Sequence, residues 1–306
     1  MQLWLVEARL RAVLIIVLCL VLCTDSAAEQ EKRSQQEIAL NNIARDLRFD
    51  FLRVFYDSKA MGREQAYALF VPERYDPEIP APVVIFLHSY WTDFHDKQWL
   101  RVAEIPGSIQ DQCNQRGWIA VGPEAGGNDW YYGNAENQVL ETIEELRTYL
   151  NIDDSRIYLV GRSMGGAGAL TIAMRHPGKF AAVVALAGVS DYFKLAKKVP
   201  GLFKDEPGSV TRAFGGTPEE IPGVYTQMSA VNYINILKDI PVFLIHGKKD
   251  KVISVKHSRT LAKMLKKAGG RVVYKERKKK GHDMEMIEWF ADEYFEFIEN
   301  NQPKGE

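Results

Sequence analysis

Residues 161–165, Gly-Arg-Ser-Met-Gly, set a serine between two glycines in the pattern G-x-S-x-G. A serine hydroxyl becomes a nucleophile when a base takes its proton and an acid fixes that base's tautomer and stabilises its cation. The spacing matters because a serine in a tight strand-to-helix turn has a strained backbone. Such a turn closes only where the positions two before and two after lack bulky side chains. Gly161 and Gly165 meet that need. The Ser163 hydroxyl then projects from the turn, and the backbone N–H of Met164 points to where a negative oxygen would sit. The competing assignment is a serine that caps a glycine-rich helix or holds a phosphate.

Six histidines are available as the base. His88 precedes the serine at the end of an apolar run and His176 ends a helix in His-Pro-Gly, so both read as structural. His95 and His257 lie in polar surroundings. His246, followed by Gly247 and Lys248-Lys249-Asp250, reads as a residue that shapes a loop. His282, in Lys280-Gly281-His282-Asp283, follows the last apolar run and is the expected base. With an ordinary histidine in that role, activity should rise with pH through about 6.5. The expected acid is Asp250, just past the run Pro241 to Ile245. Asp191 is the alternative, Asp283 is too close in sequence to orient His282 easily, and the plainer role for Asp250 is to form a turn. A second oxyanion donor is expected from the loop after Val83 to Leu87, where the N–H of Tyr90 would pair with that of Met164. Loss of one such donor typically costs on the order of 10²–10³ in rate.

These residues need a scaffold that brings strand ends together. Ile157 to Val160 is a short unbroken apolar run, which reads as a strand buried on both faces, and small and apolar residues from Ala167 to Met174 predict the helix behind Ser163. Val83 to Leu87, Trp118 to Val121, Phe180 to Leu186, Pro241 to Ile245 and Arg271 to Lys275 predict further strands. Phe49 to Tyr56 and Gln65 to Val71, joined by a turn, should form an antiparallel edge. Glu136 to Leu150 and Ser254 to Ala268 predict amphipathic helices, and Met284 to Glu299 a closing helix. Strands alternating with helices predict an α/β fold with a mostly parallel, eight-stranded sheet covered on both faces. The stretch from Gly188 to Asp239 is too long for a simple crossover, and its Gly and Pro content predicts an irregular lid or cap at about 189–235.

Arg9 and Arg11 precede an apolar run from Ala12 to Leu22, and Ser26-Ala27-Ala28 supplies small residues for cleavage. Residues 1–28 therefore read as a signal peptide cleaved after Ala28, with an uncleaved anchor as the alternative. The expected location is outside the cell or in the periplasm, and 29–306 should form one domain. Cys19 and Cys23 would leave with the signal, so Cys113 alone remains and no intrachain disulfide is expected. A net charge of -1 gives no electrostatic case for nucleic acid or an anionic membrane. The run Lys275 to Lys280, interrupted by Glu276, reads as a solvated loop.

The segments L-V-G-R-S-M-G-G-A-G-A-L, R-H-P-G-K-F-A-A-V-V-A-L-A-G and I-P-V-F-L-I-H-G-K-K-D-K-V-I resemble the α/β-hydrolase superfamily. Within it they are similar to prolyl-oligopeptidase-like catalytic domains and secreted serine esterases. The resemblance implies Ser163 as nucleophile, Asp250 and His282 as its relay, an acyl-enzyme intermediate, and no metal or organic cofactor. Many relatives have glycine where Ser89 stands. Large prolyl peptidases of this kind place a propeller in front of the catalytic domain, and the stretch before Val83 is too short for one, which favours an esterase.

Trp91, Trp130 and Tyr131, with Tyr90, would line a cleft with aromatic faces suited to a sugar or a phenolic acyl group. The expected substrate is therefore a small or polysaccharide-linked ester, with a feruloyl or acetyl group in view. The same aromatics also fit packing beneath the lid. Two other functions compete. A peptidase of short peptides would need an acidic anchor for a free amino terminus, for which Glu124 or Asp129 would serve. A noncatalytic binding protein on the same scaffold would have no need of all three triad residues.

Overall fold

The computed structural model describes residues 51–90, 104–204 and 209–303. The signal-peptide segment, Trp91 and His95 lie outside those residues. The strands are β1 (Leu52–Ser58), β2 (Arg63–Phe70), β3 (Ala81–Leu87), β4 (Ile119–Pro123), β5 (Ile152–Arg162), β6 (Ala182–Leu186), β7 (Val242–Gly247) and β8 (Val272–Arg277). They form one sheet in the order β1-β2-β4-β3-β5-β6-β7-β8. β2 runs antiparallel to both neighbours, and the other adjacent pairs are parallel.

Alternation along the central strands explains why the sheet is covered twice. Val83, Ile85 and Leu87 of β3 belong to one apolar cluster, and Val84 and Phe86 to another. β5 divides likewise, Ile157 and Leu159 against Tyr158 and Val160. Successive side chains of a strand point to opposite faces, so unbroken apolar runs demand helices on both. On the first face lie α2 (Asn134–Tyr149), α3 (Met164–Arg175) and α8 (Lys256–Lys267). The second is covered by α1 (Gly107–Arg116), α9 (Met286–Trp289) and α10 (Ala291–Asn300).

Two expectations need correction. The closing helix is broken at Phe290, which leaves helical geometry at φ -122° while its ring lies under the Arg277 guanidinium. The insertion between β6 and β7 is helical rather than irregular, with α4 (Tyr192–Lys198), α5 (Val210–Phe214), α6 (Pro222–Met228), α7 (Ile234–Leu237) and two short 3₁₀ turns. Its inner side chains form an aromatic run. Tyr192 lies 5.1 Å from Phe214, and Phe214 lies 5.1 Å from Tyr225. Among the described residues no helix is long and apolar enough to cross a membrane.

Candidate active site

β5 ends in the strained turn that its two glycines predict. Ser163 has φ 56° and ψ -116°, a conformation that costs of order 1–3 kcal/mol and persists only where the surroundings enforce it. Here the Ser163 N–H donates to Leu186 O at 2.8 Å and its carbonyl accepts the Ala167 N–H at 3.0 Å, which ties the turn to β6 and α3. A Cβ on Gly165 would stand 1.9 Å from Leu87 O, so only glycine lets the end of β3 pass the start of α3. That close approach brings the Ser89–Tyr90 segment alongside the helix N-terminus. The Met164 N–H, in the first turn of α3, has no intrahelical acceptor.

The loops after β7 and β8 supply the partners. His282 Nε2 lies 2.9 Å from Ser163 Oγ, and His282 Nδ1 lies 2.6 Å from Asp250 Oδ2. An ionised carboxylate only accepts, so Nδ1 donates and Nε2 is left to accept the serine proton. Asp250 Oδ1 accepts the N–H groups of Val252 at 2.9 Å and Ile253 at 2.8 Å. Burial works to raise the Asp250 carboxyl, but hydrogen bonds from His246 and His282 outweigh it and hold the group below the ordinary carboxylate range. The two loops meet closely. A Cβ on Gly247 would stand 2.1 Å from Gly281 O, and the Lys249 N–H donates to Lys280 O at 2.9 Å. Asp191, the alternative acid, instead caps α4 by accepting the Lys194 N–H. Asp283 accepts the Gly281 N–H within its own loop.

Two residues prove central: Arg162, for which the sequence suggested no role, and His246, expected only to shape a loop. Arg162 is only 2% exposed, and burial lowers its guanidinium to about 10. It donates to the carbonyl of His282 at 2.6 Å, to that of Asp283 at 2.9 Å and to Ser89 Oγ at 3.0 Å. Ser89 Oγ in turn donates to Arg162 O at 3.1 Å. The serine that stands where glycine is common is thus one half of a bracket between the β3 loop and the elbow. His246 is fully buried, with Nε2 at 3.2 Å from Asp250 Oδ2 and 2.9 Å from Ile253 O. Both are acceptors, so Nε2 holds the proton, and Nδ1, 2.8 Å from Ser258 Oγ, accepts.

The aromatic cleft needs correction. Trp130 and Tyr131 are 2% and 1% exposed. The Trp130 ring packs between Tyr90 and Tyr192, under the insertion. The Tyr131 ring lies against Gly168 of α3, and its hydroxyl donates to His88 O at 3.0 Å. Both shape the framework and present no open face. His257, expected in polar surroundings, is buried and lowered by that burial to about 4. Glu124 is buried with Oε2 accepting the Ala66 N–H at 3.2 Å, and burial raises its carboxyl to about 7. Among the described residues no cluster of His, Cys, Asp and Glu is arranged to hold a metal.

This geometry can transfer an acyl group. In such a transfer Ser163 Oγ would attack a carbonyl carbon as His282 Nε2 takes its proton, and the oxyanion would form where the α3 N-terminus meets the β3 loop. His282 would then return the proton to the leaving group, and water would repeat the sequence on the acyl-enzyme.

Residues 124–302 match the model of the prolyl oligopeptidase family. The chain is 30% identical to an uncharacterised peptidase, YtmA, of Bacillus subtilis over 53% of its own length and 63% of that protein's. It is 26% identical to an acetyl esterase of Caldicellulosiruptor saccharolyticus, over 69% of this chain and 81% of the relative. The acylaminoacyl peptidase of Pyrococcus horikoshii superposes with a TM-score of 0.66 at 20% identity, covering 84% of this chain and 42% of that one.

Proposed function

From the premise that this chain belongs to the prolyl oligopeptidase family and is a serine hydrolase of the α/β-hydrolase type, we propose that its substrates are carboxylic esters. The observation that favours esters over peptides is the state of Glu124. An acid that anchors a peptide's ammonium group must be ionised and open to it. Glu124 is committed to the Ala66 N–H inside the fold, and a carboxyl raised to about 7 is half neutral near neutral pH. Asp129, the other anchor considered, lies beside Arg63 and is raised by burial.

Within esters, a small acyl group such as acetyl is favoured over a phenolic one, because two of the aromatics that would suit a feruloyl group, Trp130 and Tyr131, are buried. The acetyl esterase relative aligns over a larger share of both chains than the peptidase relative does. The basic and apolar start of the sequence, ending in Ser26-Ala27-Ala28, supports action outside the cytoplasm.

The test is labelling by a fluorophosphonate, with the adduct located by mass spectrometry, followed by p-nitrophenyl esters against aminoacyl-naphthylamides. An adduct on Ser163 that Ser163→Ala lacks, with turnover of acetyl and other short esters, is the expected result. Preferential turnover of the naphthylamides would favour the peptidase. A folded protein with no adduct would return the scaffold to a binding role.

A further inference from the structure

A net charge near zero conceals a strong separation of charge. Residues 248–280 hold 14 of the 39 Lys and Arg residues but only two of the 40 acids, Asp250 and Glu276. The rest of the chain is correspondingly acidic, with 25 basic residues against 38 acidic ones. Both acids of the basic segment are already engaged. Asp250 is held in the triad, and Glu276 is gripped by both arms of Arg259 at 2.6 and 2.7 Å.

The fold places part of this charge, the lysines of two loops, at the catalytic edge of the sheet. β7 and β8 are parallel neighbours, so the loops that leave them emerge side by side. They are joined by hydrogen bonds from the Lys248 N–H to Arg277 O and from the Lys249 N–H to Lys280 O, each 2.9 Å. Lys248, Lys249 and Lys251 project from the first loop, and Lys278 and Lys279 from the second. All five are exposed, and none makes an ion pair among the described residues. The first loop also holds Asp250, and the second leads directly into His282. The nucleophile and a locally positive field therefore share one edge, with the acids Asp283 and Glu285 following His282 on the second loop. Such a field raises the local concentration of oppositely charged substrate and speeds its encounter.

We propose that this edge binds a polyanion, and that the natural substrate is an ester carried on an acidic polysaccharide. The inference rests on the esterase reading above and narrows it. Five cations spread over two loops exceed what one small carboxylate can engage, so a chain of repeated negative charges fits better than a single anion. A nucleic acid offers the charge but no carboxylic ester for Ser163. An anionic bilayer offers both, yet binding to it draws on a broad apolar face. Among the described residues, the large apolar side chains exposed near these loops are Val252, Met284 and Trp289, and the Trp289 ring has Lys280 Nζ 3.1 Å from its centre.

The experiment compares kcat/KM on O-acetylated polygalacturonate with that on O-acetylated neutral xylan, from about 0.01 to 1 M salt, where the screening length falls from about 30 to 3 Å. p-Nitrophenyl acetate serves as the uncharged control. The expected result is an advantage for the acidic polymer on the order of tenfold at low salt, lost at high salt. That advantage should also be lost in a variant with Lys248, Lys249, Lys251, Lys278 and Lys279 all changed to Gln. A wild-type enzyme that cleaves p-nitrophenyl acetate yet treats the two polymers alike at every salt concentration would overturn the proposal while leaving the esterase reading in place. Failure to cleave any ester, with turnover of naphthylamides, would remove the esterase reading itself. If Ser163→Ala sediments with phosphatidylglycerol vesicles but is not retarded in a polygalacturonate gel, the surface is one for lipid and the proposal falls.

Discussion

Arg162 Nη2 donates to the carbonyl oxygen of His282 at 2.6 Å, so the residue before the nucleophile holds the loop that bears the base. One planar guanidinium spans His282 O, Asp283 O and Ser89 Oγ, which a lysine's single ammonium cannot do. Arg162→Lys and Arg162→Met should each lower kcat by roughly 10²-fold, as expected when a catalytic group is misplaced by about 1 Å, with a smaller change in KM. The rate of fluorophosphonate labelling should fall in parallel, which simple destabilisation of a still-folded enzyme would not produce. Ser89→Ala belongs to the same bracket, so the double variant with Arg162→Met should depart from additivity by more than about 0.5 kcal/mol. Wild-type labelling by Arg162→Met would show that the loop holds its place unaided.

His246 donates to the same Asp250 oxygen that accepts from His282. A hydrogen bond to a carboxylate stabilises its charged form, so removing the His246 donor leaves Asp250 more basic and better able to stabilise a cation on its other side. His246→Phe should therefore move the acid limb of the kcat/KM profile to higher pH, by on the order of half a unit. His246→Gln, if its amide N–H reaches Asp250, should restore much of the wild-type profile. An unshifted acid limb in a folded His246→Phe enzyme would reduce this histidine to core packing.

The meeting of Ser163, Asp250 and His282 was legible in the sequence because each lies beyond a strand, and parallel strands deliver their ends to one edge. Arg162 and His246 were harder to read because each looks like a loop residue by type. A signal was present in both cases. Tyr158, Val160 and Arg162 share one face of β5, and Val242, Leu244 and His246 share one face of β7, so period-two alternation carries both side chains into the interior. α1 had no such signal, since among its ten residues only Ile109, Gln112 and Cys113 are buried. Trp130 and Tyr131 were misassigned because an aromatic cluster after a strand has the same composition whether it lines a cleft or supports an inserted layer of helices. A net charge of -1 averages over residues 248–280, with 14 basic and two acidic residues, and a more acidic remainder.

Trp130 tests that correction. Its ring centre lies 6.1 Å from that of Tyr90 and 6.0 Å from that of Tyr192, joining the β3 loop to the insertion. Trp130→Ala should cost about 3–5 kcal/mol, the range for truncating a buried aromatic in a packed core, measured as a fall in chemical-denaturation stability. Trp130→Phe keeps a ring and should cost less, with KM for p-nitrophenyl acetate unchanged. A large rise in KM at full stability would instead make Trp130 a ligand contact.

Glu124 makes stability depend on pH in a direction opposite to that of most carboxylates. Burial raises its carboxyl from 4.5 to about 7, while the Ala66 N–H and the nearby Arg63 and Arg53 only partly offset that rise. Between those values the folded state retains a proton that the unfolded chain releases, so this group's contribution to stability falls as pH rises. The stabilising share is fully present below about pH 4.5 and is lost by about pH 7, a change of about 3 kcal/mol at most. Glu124→Gln keeps a carbonyl oxygen to accept the Ala66 N–H and removes the titration. Denaturation series from pH 4.5 to 8 should therefore show wild-type stability declining relative to the variant as pH rises. Parallel curves would mean that Glu124 is ionised throughout, which would also reopen it as an anchor for a peptide's amino terminus.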